Sequence, residues 1–314
     1  MNICFLYPGQ GAQYPGMGKD LYESKNSVRQ LFDLASDACR CDARQLLFDS
    51  SEAELKETRN TQIAITLINL AVRRFLLEEG VESTGCAGFS LGEWSALVDA
   101  GVLTEEEVFP MVLKRAELMT AAVDRLALPG GSGMAAVIGL AADAVEEAIM
   151  EIEGVYPANY NSPDQTVISG TAEAVAAASD ACKSAGARRV IPLKVSGPFH
   201  TPLLEDARSA FELYLQNREL RNPAKSLYSN ASGAAVRSVN DIRRYASMQI
   251  SSPVRWTSEE AKIADDGYDL CIECGPGKVL TGLWKKCGTE IPCLPAGTMD
   301  TIGTVMEVVH KSEK

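Results

Sequence analysis

Residues 88–92 read Gly88-Phe89-Ser90-Leu91-Gly92, directly after a short strand-like run and directly before Glu93-Trp94-Ser95-Ala96-Leu97-Val98, which reads as an amphipathic stretch. A strand that reverses into a helix around a serine is a nucleophile elbow. The flanking glycines relieve the crowding of the tight turn, and the Ser90 hydroxyl is left exposed above a sheet edge beside the helix N-terminus. The feature requires a strand followed at once by a helix, which points to an α/β core. It also presents a hydroxyl that an acyl group can esterify. A bare Gly-x-Ser-x-Gly also serves as an ordinary turn, so the rest of the chain must supply a base.

A chain of 314 residues exceeds the usual size of one domain, so one large core with a smaller second unit is expected. With 30 basic and 42 acidic side chains the formal charge is −12, which argues against nucleic acid as an overall partner. The segment Met1-Asn2-Ile3-Cys4-Phe5-Leu6-Tyr7-Pro8 has no basic leader and breaks at a proline, and no later apolar run reaches membrane-spanning length. A cytoplasmic protein away from the membrane is therefore expected. Nine cysteines, an odd number in a chain of this size, are expected as reduced thiols. Cys271-Ile272-Glu273-Cys274 has the spacing of a redox or zinc pair, but no second pair accompanies it and Tyr268 to Ile272 reads as a buried strand. No metal is expected.

Along the chain, a first strand from Asn2 to Tyr7 runs into Pro8-Gly9-Gln10-Gly11-Ala12-Gln13-Tyr14-Pro15-Gly16-Met17-Gly18, a loop rich in residues that permit unusual backbone angles. It fits neither the Walker nor the dinucleotide pattern. Helical periodicity dominates 20–80, including Gln62 to Leu77, and another helix is expected over Glu105 to Val123. Leu128-Pro129-Gly130-Gly131-Ser132-Gly133 reads as a linker. After it come a strand (Met134 to Leu140), a helix (Asp143 to Glu153), two strands (Tyr156 to Asn161, Gln165 to Gly170), a helix (Thr171 to Ala185) and a strand (Arg188 to Val195). That βαββαβ order is the ferredoxin-like arrangement, expected here as an insertion over roughly 125–196. The core then resumes, with a helix at 202–217 and a strand at 268–273.

A serine hydroxyl is nearly inert unless a base takes its proton as it attacks. Only two histidines exist, and His310 lies in what reads as a charged C-terminal tail, Val309 to Lys314. His200, in the Gly/Pro-bounded loop Val195-Ser196-Gly197-Pro198-Phe199-His200-Thr201-Pro202, is left as the one plausible base for Ser90.

Five motifs in order carry a resemblance: Pro8-Gly9-Gln10-Gly11-Ala12-Gln13, Gly88-Phe89-Ser90-Leu91-Gly92-Glu93, Asn161 to Gly170, Gly197-Pro198-Phe199-His200, and Glu273-Cys274-Gly275-Pro276-Gly277-Lys278-Val279-Leu280. From about residue 3 to 299 the chain resembles the malonyl-CoA:acyl-carrier-protein transacylases. The resemblance implies an α/β; α/β-hydrolase-like core (1–124 and 197–314) with an inserted ferredoxin-like subdomain (125–196). It implies Ser90 as nucleophile, His200 as base and the main-chain carbonyl of Gln249 as the group that orients the imidazole. Asp206 is the alternative third member. The backbone N–H groups of Gln10 and Leu91 would form the oxyanion hole, where losing one donor typically costs roughly a hundred- to a thousand-fold in rate.

Taken alone, Arg115 beside Lys114 reads as solvated helix surface. The resemblance instead points its guanidinium at the free carboxylate of a malonyl group, which an acetyl group would leave unpaired at a cost on the order of 2–5 kcal/mol. Phe199 would crowd a 2-methyl branch. Asn161 would hydrogen-bond near the pocket, with Gln62 a weaker candidate. Arg188-Arg189 and Lys285-Lys286 are candidate contacts for an acidic carrier protein. One departure stands out, because the family usually has histidine directly before the nucleophile and this chain has Phe89.

The resemblance thus implies a ping-pong transfer of malonyl from malonyl-CoA to the phosphopantetheine thiol of an acyl carrier protein, supplying fatty-acid synthesis, with no cofactor. A monomer is expected, although the sequence does not itself fix the oligomeric state. Related transferases of polyketide or malonate-decarboxylase pathways share these motifs. A serine acyl hydrolase and a catalytically idle docking subunit are rivals from other classes.

Overall fold

A computed structural model describes residues 1–312 of the chain. Its strands are β1 (Ile3–Tyr7), β2 (Gly85–Gly88), β3 (Ser132–Ile138), β4 (Val155–Ser162), β5 (Gln165–Thr171), β6 (Arg189–Leu193), β7 (Ser226–Ser229), β8 (Ala234–Val236), β9 (Leu270–Glu273) and β10 (Cys293–Pro295). They form two sheets in a mixed α/β architecture.

The larger sheet has the order β10-β9-β1-β2-β7-β8 and is parallel except for the β7–β8 hairpin. Its central strand explains this burial. Ile3-Cys4-Phe5-Leu6-Tyr7 is apolar at every position and buried at every position, as a parallel strand covered on both faces must be. Ile3, Phe5 and Tyr7 enter the main core, while Cys4 and Leu6 pack on the opposite face with Trp256, Ile263 and Trp284. Cys271 and Cys274 are buried around the neighbouring β9, where they behave as small apolar side chains.

The smaller sheet has the order β4-β5-β3-β6, is antiparallel throughout, and is built entirely from strands between residues 132 and 193. Alternation along β3 assigns its faces. Ala135 and Val137 pack with Val145, Ile149 and Ala178 of the sheet's own two helices, whereas Met134 and Ala136 join the main core. Strand β4 is also stitched to the chain beyond Gln249, with Tyr160 N donating to Val254 O and Val254 N to Ala158 O, both at 2.9 Å.

Several expectations need correction. The helix Gly92–Asp99 after the elbow is buried at all eight positions rather than amphipathic, because it lies between the large sheet and the surrounding helices. Strand β2 lies inside the sheet between β1 and β7, so Ser90 stands at the C-terminal end of an interior strand and not at a sheet edge. The expected linker already contains the start of β3 at Ser132. The expected C-terminal tail is the end of a helix, Met299–Ser312, that seats Ile302, Val305 and Val309 in the core; Glu313 and Lys314 lie outside the described residues. No described helix is long and apolar enough to cross a membrane.

Candidate active site

The elbow is a consequence of close packing. A Cβ on Gly88 would lie 2.1 Å from the carbonyl carbon of Gly92, and one on Gly92 would lie 2.0 Å from the Tyr7 carbonyl oxygen, so no other residue fits at either position. Between them Ser90 takes φ 51°, a left-handed conformation that costs a non-glycine residue of order 1–3 kcal/mol and persists only where its surroundings enforce it. Asn230, just beyond β7, enforces it. Its Oδ1 accepts from Ser90 N at 2.6 Å, and its Nδ2 donates to Gly88 O and to Glu259 Oε1, each at 2.7 Å.

His200 also has a left-handed backbone, φ 60°. The loop that carries it is held by Phe199 N donating to Gly197 O at 2.9 Å and by Thr201 Oγ1 donating to Pro198 O at 2.7 Å. The two ring nitrogens then find opposite partners. Nδ1 lies 2.8 Å from the Gln249 carbonyl and Nε2 lies 2.8 Å from Ser90 Oγ. A carbonyl only accepts, so Nδ1 carries the proton and the Nε2 lone pair faces the serine hydroxyl. Gln249 ends the helix Val239–Met248, where carbonyls have no intrahelical donor, and the negative end of the helix dipole favours an imidazolium there. Asp206 is exposed and takes no part, because the carbonyl already fills the position a carboxylate would need. Burial first, and the nearby Arg115 charge second, hold His200 down to about 4, so the imidazole is neutral at pH 7.

The glycine-rich loop after β1 presses against the elbow. A Cβ on Gly9 would be 2.3 Å from the Phe89 carbonyl oxygen and 3.5 Å from Leu91 N. This contact brings Gln10 and Leu91 to one cavity of about 300 Å³, which Ser90 and His200 also line. Neither the Gln10 nor the Leu91 amide donates to another protein atom among the described residues.

Arg115 enters the same cavity from the middle of the helix Glu105–Leu126. It is 2% exposed, so it is not the solvated arginine its neighbours in sequence suggest. Nη2 donates to Gln249 Oε1 at 2.9 Å, while Nε has no partner among the described residues. Burial lowers its pKa to about 10, with Glu93 acting the other way, so it remains a cation at pH 7. Phe199 and Asn161 line the cavity too, and Asn161 Oδ1 is buried without a protein partner among the described residues. Gln62 is buried but does not line the cavity. Phe89 does, with its ring edge-on to Trp256 at 5.5 Å between centroids. The small sheet also lines the cavity, through Met134, Ala136, Asn159, Gln165 and Val167. Arg188, Arg189, Lys285 and Lys286 are exposed, and Lys286 pairs with Asp164 at 3.2 Å.

Sequence reasoning missed Asn230 and Glu93. Ser229-Asn230 looks like any strand-ending turn, and Glu93 reads as an ordinary acid in a first helical turn. Glu93 is instead 4% exposed and accepts from Gln249 Nε2 at 2.6 Å and from Asn230 N at 3.2 Å; burial raises its pKa to about 7.

A hydroxyl on a neutral imidazole, with two amides that have no acceptor among the described residues and a buried guanidinium around one cavity, defines a site suited to serine-based acyl transfer in an α/β protein. The acyl transferase domain model matches residues 4–306. The chain is 38% identical to the malonyl CoA-acyl carrier protein transacylase of Bacillus subtilis (strain 168), over 99% of this chain and 98% of that protein. Among solved structures it is similar to a malonyl CoA-acyl carrier protein transacylase from Clostridium perfringens (TM-score 0.94, 34% identity, 100% of this chain and 98% of that one). It is also similar to a malonyl-transacylase in complex with a type II PKS acyl-carrier protein (TM-score 0.93, 36% identity, 98% and 100%). This chain belongs to the acyl transferase domain family.

Proposed function

We propose that the chain is an acyl-carrier-protein S-malonyltransferase of fatty-acid synthesis, working through a Ser90 acyl-enzyme. The observation that carries this is the meeting of the Ser90–His200–Gln249 relay with the buried Arg115 at one cavity.

In the first half-reaction Ser90 Oγ attacks the thioester carbonyl of malonyl-CoA while His200 Nε2 takes its proton. Negative charge builds on the former carbonyl oxygen, for which the Gln10 and Leu91 amides are the donors at hand. Collapse breaks the carbon–sulfur bond, and the imidazolium returns the proton to the coenzyme A thiolate. Arg115 pairs with the free malonyl carboxylate, which gives a buried cation the partner that acetyl cannot offer. In the second half-reaction His200 takes the proton of the carrier protein's phosphopantetheine thiol, the sulfur attacks the Ser90 ester, and Ser90 leaves with that proton. Every proton and leaving group is accounted for by these residues and the two thiols, so the reaction requires no metal or bound cofactor.

The sheet order and the all-parallel centre support an α/β-hydrolase-like core formed by 1–124 and 197–314. The βαββαβ sequence of the smaller sheet supports a ferredoxin-like insertion over 125–196. We place the enzyme in the cytoplasm, as a monomer whose exposed Arg188, Arg189 and Lys285 face an acidic carrier. The test is transfer from malonyl-, methylmalonyl- and acetyl-CoA to a carrier protein, with water as the competing acceptor. Malonyl transfer to the thiol should dominate. Rapid release of free malonate without carrier would mark a hydrolase instead.

A further inference from the structure

The side chain of Gln249 joins parts of the site that the reaction uses separately. Its Oε1 accepts from Arg115 Nη2 at 2.9 Å, and its Nε2 donates to Glu93 Oε2 at 2.6 Å and to the Ser90 carbonyl at 2.9 Å. The amide orientation is fixed by chemistry, since a guanidinium only donates and a carboxylate accepts, so oxygen faces Arg115 and nitrogen faces Glu93. Both amide hydrogens are used, one on the counter-charge and one on the nucleophile's own peptide. Gln249, Arg115 and Glu93 are 1%, 2% and 4% exposed, so a cation and a carboxylate are linked in a water-poor setting through one polarised amide.

We infer that the Gln249 carboxamide is a positioning group that aims the Arg115 guanidinium into the acyl cavity and ties it to the Ser90 peptide, with Glu93, in its ionised form, as the counter-charge that moderates the grip of Arg115 on a substrate carboxylate. This rests on Arg115 being the carboxylate clamp. The role is separate from the His200 contact, which uses the main-chain carbonyl of Gln249 and survives replacement of its side chain. Two variants therefore act in opposite directions. Gln249→Met keeps the shape and the backbone carbonyl but frees the guanidinium. Glu93→Gln keeps a hydrogen-bond acceptor for Gln249 but removes the counter-charge, leaving Arg115 with a stronger pull on an incoming carboxylate.

The experiment measures kcat and KM of the full chain with malonyl-CoA and with acetyl-CoA at a pH above about 8, where Glu93, raised to about 7 by burial, is ionised and Arg115 is still a cation. Gln249→Met should raise the malonyl-CoA KM and lower the malonyl-to-acetyl ratio of kcat/KM about tenfold or more. Glu93→Gln should lower the malonyl-CoA KM and raise that ratio by roughly threefold or more. Where Gln249→Met fails to fold, the direction of the Glu93→Gln change decides. A support role confined to folding would depress both acyl donors equally, and equal losses or an unmoved ratio would overturn the inference. A wild type without preference for malonyl would reject the clamp itself, whereas a malonyl-selective wild type with unmoved variants would reject only the roles of Gln249 and Glu93.

Discussion

At the elbow, Ser90 has its hydroxyl, amide and carbonyl engaged by His200, Asn230 and Gln249, and both ring nitrogens of His200 are in use, whereas elsewhere on the cavity lining Arg115 Nε and Asn161 Oδ1 have no partner among the described residues. The first region spends conformational strain, at the left-handed Ser90 and His200, to fix reacting atoms in advance. The second keeps hydrogen-bonding capacity inside walls that are otherwise largely apolar. Chemistry is therefore preorganised by protein–protein hydrogen bonds, while selection is left to groups that a substrate completes.

Mutations should separate the two regions. Ser90→Ala removes the nucleophile and should reduce transfer by about 10,000-fold or more, measured with malonyl-CoA and carrier protein. Arg115→Ala should leave the dyad in place and act on choice, lowering the malonyl-to-acetyl ratio of kcat/KM by about 30- to 4,000-fold, which corresponds to roughly 2–5 kcal/mol. A similar loss for both acyl donors would place Arg115 in the elbow's machinery instead. Gly9→Ala forces the first loop off the Phe89 carbonyl and should cost roughly a hundred- to a thousand-fold for every acyl donor alike, as loss of one oxyanion donor does.

Acid should act on the elbow first. The folded His200 value of about 4 lies below its ordinary 6.5, so the unfolded chain binds a proton first as pH falls. The contribution of this group to stability, about 3 kcal/mol, is present above 6.5, is lost as pH drops toward 4, and levels off below it. Urea midpoints of wild type and His200→Gln should converge across that window. Acylation should fall as pH passes down through about 4, while the guanidinium keeps its charge up to about pH 10. The smallest effect is at Phe199, 7% exposed, where Phe199→Ala should raise methylmalonyl relative to malonyl use by roughly 10- to 200-fold, read from paired kcat/KM values.

The elbow region was the more legible in sequence, for a physical reason. Tight turns demand glycine at fixed positions, a base must be histidine when only one is well placed, and continuous apolar runs such as Ile3–Tyr7 announce parallel strands. The strands β3 to β6 were readable by the same periodicity. Recognition was not readable from residues alone. Nothing around Lys114-Arg115 distinguishes a buried guanidinium from a surface one, and only resemblance pointed to it. Asn230 left no pattern and Glu93, though it closes the elbow motif, showed no sign of its role, because their partners lie 140 and 156 residues away in Ser90 and Gln249. The helices Val239–Met248 and Trp256–Asp265 and the short strands β7, β8 and β10 likewise take their places from tertiary packing more than from local sequence.

The central claim is a malonyl ester on one serine, held until a thiol arrives. Brief exposure of the wild-type chain to malonyl-CoA, followed by acid quench and peptide mass mapping, should find the malonyl group on the peptide containing Ser90, stable without carrier and discharged on adding it. Transfer that proceeds with no such ester, or with the ester on another residue, would contradict the account.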